Sequence, residues 1–253
     1  MNYQMLMDTA VKVGEVMLSH GAEAHRVEDT VYRILKTAKL QTTEVFVIMT
    51  GMFATLSDPS MDTITVTKRV RFKGNNLKQI CYANEISRKY CSGEITLEEA
   101  YEMITKGYQW EYRHLTAIFG DLLVITTFPL LVGGSYFDCI GAFLASLIVG
   151  GSIYLADKAH MHSFLRDVMV PFIAGASYLL LDRLLPFEIH QDAIIIACIM
   201  PLVPGVAITN AIRDTLNGDY VSGAARAVEA FIKALAIALG VGLSLMMLGG
   251  VLS

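Results

Sequence analysis

The chain has 253 residues, a net charge of −4, 54% hydrophobic residues and a mean hydropathy of +0.49. That is too apolar for an ordinary soluble protein, and an acidic balance with no basic patch gives no support for nucleic-acid binding. The charges are also unevenly placed: residues 1–113 carry 14 Lys/Arg and 14 Asp/Glu, whereas residues 114–253 carry 6 and 10. The expected fold class is an α-helical multi-pass membrane protein, with an N-terminal α+β cytoplasmic domain over residues 1–112 and a five-helix transmembrane domain over residues 113–253.

Leu6, Ala10, Val13 and Met17 recur at helical spacing and predict an amphipathic helix that stops near Gly21. A second helix is predicted over 22–38, with Val27, Val31, Ile34 and Leu35 on one face and Arg26, Asp29, Arg33 and Lys36 on the other. Runs rich in β-branched and aromatic residues at 43–50, 52–57 and 63–67, with a turn at Asp58-Pro59-Ser60, predict three antiparallel strands. Helical spacing returns from Asn75 to Cys91 and closes at Gly93. Thr96 and Glu99 have capping-box spacing at the head of a short helix over 97–104.

Between the first two helices lie His20, Glu23, His25 and Glu28, a set that invites a catalytic or metal-binding interpretation. The spacing matches neither HExxH nor a zinc finger, and no nucleophile elbow occurs. Charges at such a helix–helix turn belong more often to a solvated surface, so no catalytic residue, metal or cofactor is assigned. Cys81, Cys91, Cys139 and Cys198 lack ligand spacing and are expected to be reduced and structural. No basic segment followed by an apolar core marks a cleavable leader at the N-terminus.

Apolar stretches at 115–132, 139–156, 168–185, 193–208 and 227–252 are each near the length a spanning helix needs, the fourth being the shortest. Lys158, Arg166, Arg213 and Arg226 against Arg183 place the N-terminus inside and the C-terminus outside. Small residues four apart, as in Gly141/Ala145, Ser146/Gly150 and Ala236/Gly240, allow close helix approach.

The fourth stretch is interrupted by Pro201, Pro204 and Gly205, then followed at once by Thr209, Asn210, Arg213 and Asp214. Prolines remove backbone donors and free carbonyls, which hydrocarbon tolerates only against protein or a watery cavity. Broken helices of this kind hold substrate in many transporters. Pro201, Pro204, Gly205, Thr209, Asn210 and Arg213 are therefore the expected substrate-binding set, with Arg213 able to grip a carboxylate bidentately. Asp121, Asp214 and Glu229 are the expected carriers of a coupling proton, because an ionisable group in a membrane segment is costly unless it is used. Glu229 has Arg226 at i−3 and Lys233 at i+4, so a satisfied surface ion pair is the equal alternative there.

Two long segments carry a family resemblance. Gly21-Ala-Glu-Ala-His-Arg-Val-Glu-Asp29 resembles the first signature of the threonine/serine exporter family, with Gly21, Glu23, Arg26 and Glu28 at its characteristic positions. Pro204-Gly-Val-Ala-Ile-Thr-Asn-Ala-Ile-Arg-Asp214 is similar to its second signature, continued through Gly218, Asp219, Ser222 and Arg226 to Glu229. The resemblance covers essentially the whole chain. It implies a bacterial inner-membrane exporter of small carboxylate metabolites, either threonine and serine or a succinate-type dicarboxylate. The full-length form has ten membrane helices. This chain is similar to the N-terminal component of the split form, whose implied partner is a small five-helix membrane subunit; a homo-oligomer is the other arrangement. Two rival functions remain at this level: a membrane-tethered enzyme and a ligand-sensing regulatory subunit, both using the N-terminal domain.

Overall fold

A computed structural model describes residues 2–71, 74–108 and 114–252, with side chains omitted for 114–118 and 250–252. The expected domain boundary at 112/113 lies outside the described residues. By its internal contacts the chain divides into two compact units, Met1–Glu111 with Gly205–Glu229, and Tyr112–Pro204 with Ala230–Ser253. Residues 205–229 thus belong to the first unit, although 205–208 are the end of the fourth apolar stretch.

The first unit opens with α1 (Tyr3–Ser19) and α2 (Ala24–Lys36). Leu6, Ala10, Val13 and Met17 of α1 and Val27, Val31, Ile34 and Leu35 of α2 are fully or almost fully buried, as their spacing requires. The chain turns between the two helices at Gly21, whose φ of 91° favours glycine. A sheet of order β1-β2-β3 follows, made of β1 (Thr42–Ile48), β2 (Gly51–Asp58) and β3 (Met61–Arg69), antiparallel throughout. At the β2–β3 turn the Ser60 amide donates to Asp58 (3.0 Å). Helices α3 (Leu77–Ser92) and α4 (Leu97–Lys106) complete the layer, α3 closing at Gly93 with φ 80°. The Thr96–Glu99 capping box forms in both directions, at 2.8 and 3.2 Å. Core residues of α1, α2, β2 and α3, including Met7, Met52, Leu56 and Ile86, form one cluster.

The second unit contains α5 (His114–Leu131), α6 (Tyr136–Lys158), α7 (Ser163–Leu184), α8 (Gln191–Ile199) and the distal part of α10 (Tyr220–Leu252). Among the described residues three helical segments, Tyr136–Lys158, Ser163–Leu184 and Tyr220–Gly249, are long and apolar enough to cross a membrane. A fourth span arises only if Gln191–Leu202 and the segment Gly205–Leu216 (α9) are taken together across their break, and Phe119–Leu131 is a shorter apolar helix. The chain is thus mostly helical with three or four candidate spans and one small sheet; by length and composition it is a multi-pass membrane protein.

The expected fourth stretch, 193–208, is not one continuous helix. It ends as α-helix at Ile199, tightens into a 3₁₀ turn at Met200–Leu202, and becomes extended at Val203 (φ −61°, ψ 129°). The cause is local. The ring of Pro204 disfavours helical ψ at the preceding residue, and Pro201 cannot donate to the turn behind it.

At the start of α6 a second capping box, Ser135–Asp138, is built on a fully buried carboxylate. Asp138 accepts from the Ser135 amide (2.6 Å), the His190 amide (2.6 Å) and the His190 ring (2.9 Å), tying the head of α6 to the head of α8. The Ser-x-x-Asp spacing announces this cap in the sequence; its second partner, 52 residues away, has no such signal.

Candidate functional site

The expected site residues fall in two places. In the second unit, Asp121 and Pro201 line one cavity of about 330 Å³ together with Ser146, Tyr154, Cys198 and Leu202. Asp121 stands on α5, Ser146 and Tyr154 on α6, and Pro201 at the break after α8. Asp121 is the single charged side chain among the lining residues. The rest of the wall is largely aliphatic, relieved by two glycines, Gly150 and Gly151. The Ser146 hydroxyl donates to the Phe143 carbonyl (2.6 Å), so its proton is already used and toward a ligand it can only accept. Asp121 and Pro201 are expected from the sequence, Ser146 carries only a packing signal there, and Tyr154 carries none.

Asn210, Arg213 and Asp214 belong to the first unit, where α9 meets the α1–α2 turn. The Asn210 side-chain amide donates to the Gly21 carbonyl (2.8 Å), and Arg213 pairs with Glu23 (2.5 Å). Asp214 is completely buried and accepts from the Ala24 amide (3.1 Å). Glu23 occupies the N-cap position of α2 but makes no side-chain cap of its own. Asp214 therefore supplies the cap from 190 residues further along the chain, setting a carboxylate against the positive end of the α2 dipole.

Arg226 closes the arrangement from α10. Its guanidinium donates to the Ala22 carbonyl (2.7 Å) and lies 2.9 Å from Asp214, with both side chains almost wholly buried. The approach of Arg226 Nε to Asp214 Oδ2 is electrostatic rather than an aligned hydrogen bond, since neither atom finds a hydrogen-bond partner. Losing either member would leave an uncompensated buried charge. Ser222 adds a further tie by accepting from the Met49 amide (3.1 Å). The two signature segments are thus one interlocked structure. Arg226 pairs with Asp214, and among the described residues Glu229 is exposed and makes no ion pair with Arg226 or Lys233.

The remaining candidates are placed as follows. Pro204 ends the broken segment and Gly205 begins α9; the Thr209 hydroxyl donates back to the Gly205 carbonyl (2.8 Å), within its own helix. Glu28 accepts from the Val47 amide (3.2 Å) and so fastens α2 to β1. Burial pushes the Glu28 carboxyl above its ordinary range, the Val47 amide pulls it back, and Asp219 adds to the upward push. Arg26 is exposed on α2. The histidines of the turn are engaged locally: the His20 ring with the Val16 carbonyl (2.7 Å), and His25 with Asn217 (3.2 Å). Among the described residues no three His, Cys, Asp or Glu side chains gather as a metal ion would need.

A polar break in an apolar helix, a carboxylate in a membrane-unit cavity and several apolar spans define a multi-pass membrane protein of transporter type. The sequence model of the threonine/serine exporter family (ThrE) matches residues 8–248, and the chain belongs to that family. It is a family of exporters and not of enzymes. The chain is 22% identical to the threonine/serine exporter of Corynebacterium glutamicum over 95% of its own length and 50% of that protein's. It is 20% identical to a probable threonine/serine exporter of Mycobacterium tuberculosis, over 95% and 46%. It is 23% identical to the probable succinate transporter subunit YjjP of Escherichia coli, over 94% and 93%. The chain therefore spans about half the length of the two exporters and nearly all of the transporter subunit. No solved structure matches it.

Proposed function

We propose that the chain is one subunit of a secondary exporter that moves small carboxylate metabolites out of the bacterial cytoplasm across the inner membrane. In this reading it crosses five times, with its N-terminus inside and its C-terminus outside, and works with a second small five-helix subunit. The observation that carries the proposal is the cavity shared by Asp121 and the Pro201 break. It is large enough for a molecule of a few heavy atoms. The broken helix in its wall can offer backbone groups that regular helix would have consumed.

The lone carboxylate also bears on substrate. Ionised Asp121 would attract an α-ammonium group and repel a second carboxylate, so the cavity favours a zwitterion such as threonine or serine over a dianion. Neutralised Asp121 would lose that preference, which is the behaviour expected of a residue that alternately holds a proton and a substrate cation. The coupling role accordingly goes to Asp121. We assign Asn210, Arg213 and Asp214 to fastening α9 onto the N-terminal turn, and nothing at Glu229 favours coupling.

Efflux of labelled threonine from cells that lack their own exporters and express the chain with its partner subunit tests this division. Asp121→Asn should reduce efflux at least tenfold with the protein still present in the membrane. Arg213→Lys, which keeps the charge facing Glu23, should retain most of it. Wild-type efflux from the Asp121→Asn variant would remove the cavity from the transport path.

A further inference from the structure

A second recess, this one polar, lies in the first unit and takes in the C-terminal end of the first signature segment. It is a groove of about 200 Å³ between α2 and α3, lined by Arg26, Asp29, Thr30 and Arg33 from α2 and by Asn84, Ser87 and Arg88 from α3. Three guanidinium groups and one carboxylate give its walls a surplus of two positive charges. Asp29 is already taken by Arg33, at 2.9 Å and one helical turn away. Arg26 and Arg88 have no carboxylate partner among the described residues, although they face the same recess from opposite helices. Beneath them the Thr30 hydroxyl donates to the Arg26 carbonyl (2.8 Å), and the buried Ser87 hydroxyl and the Asn84 amide supply further polar groups. Arg26 and Arg88 thus stand on either side of the groove with guanidinium groups open to solvent. They suit a ligand that brings two negative charges, because each planar guanidinium can engage a carboxylate or phosphate with two parallel hydrogen bonds.

We propose that this groove is a binding site for a small dianion, a dicarboxylate or a phosphate, bridged between Arg26 on α2 and Arg88 on α3. The site is distinct from the membrane-unit cavity and does not depend on which metabolite crosses there. Occupancy would hold α2 against α3, and α2 is the helix whose first turn Asp214 caps. Because the guanidinium groups are exposed, the interaction is screened and weakens with added salt.

Calorimetric titration of the purified full-length chain in detergent tests the proposal, with succinate, inorganic phosphate and, as a zwitterionic control, threonine. Succinate, phosphate or both should bind at low ionic strength. Binding should weaken at least tenfold in Arg88→Ala, recover in part in Arg88→Lys, and persist in Asp121→Asn. Binding of succinate alone identifies a dicarboxylate site, and binding of both identifies a general dianion site. Dianion binding that is unchanged in Arg88→Ala, that disappears in Asp121→Asn, or that is absent altogether would overturn it. Loss of efflux in Asp121→Asn with groove binding intact keeps the transport proposal and this one separately testable.

Discussion

Glu28 shows how a single family-signature residue can be structural and still be felt in solution behaviour. Its carboxylate holds the Val47 amide and so joins α2 to β1, yet burial and the charge of Asp219 both work against its ionised form. A carboxyl whose folded-state pKa stands above its unfolded value binds its proton more tightly in the folded protein. Its contribution to stability is fully present below the ordinary carboxylate range and is lost as pH rises through the raised value. Glu28→Gln keeps an oxygen for the Val47 amide and removes the titration. The variant should therefore gain thermal stability relative to wild type at neutral pH and show a flatter melting profile between pH 4 and neutrality. Parallel profiles for the two proteins would show that Glu28 does not titrate differently on folding. The same scale explains what the sequence could not show at Asp214. Its neighbours Arg213 and Thr215 give no hint that it caps α2, because that partner is 190 residues away.

At the scale of elements, legibility follows the range of the interactions. The strands, the Thr96–Glu99 cap, the glycine stops and the buried faces of α1 and α2 are governed by contacts within a few residues, and all could be read from spacing. The break at Pro201–Pro204 was equally legible, since proline acts on its own turn. The destination of α9 was not: its apolar and polar residues look like the continuation of a span, and only the distant Gly21–Ala24 turn accounts for their placement in the first unit. Small-residue spacing predicted close helix approach without naming the partner helix, and α10 supplies one answer. A Cβ at Gly240 would sit 2.2 Å from the Val168 carbonyl oxygen and 3.0 Å from the Phe172 amide, both backbone atoms of α7. Backbone cannot swing aside as a side chain does, so Gly240→Ala must push α10 from α7 and should cost about 1–3 kcal/mol. Thermal unfolding of the purified protein should show a clear drop in midpoint, while Gly242→Ala, where a Cβ meets nothing within 4 Å, should leave it unchanged. Equal midpoints for the two variants would mean that α7 and α10 are not packed this closely.

For the whole molecule the decisive quantity is apolar surface left uncovered. Only 33%, 39% and 22% of the three long apolar windows is buried within the chain. Lipid can cover such a face, but lipid has no reason to complete a cavity whose wall includes a broken helix and a carboxylate, and an uncovered polar group in hydrocarbon is costly. The relatives suggest what does. The chain matches about half of each exporter and nearly all of the transporter subunit, so the two exporters carry a further stretch of comparable length beyond the part that it matches. A second five-helix unit, related to the first as an inverted repeat, would bring a second broken helix to the membrane midplane and enclose substrate between the two. Cells lacking their own exporters should therefore release labelled threonine or serine only when the chain is expressed with such a partner. Release by the chain alone would replace the heteromeric assembly with a homo-oligomer. Release of succinate in preference to threonine would mean that Asp121 is neutral when substrate binds, because an ionised carboxylate in that cavity would repel a dianion more strongly than a zwitterion.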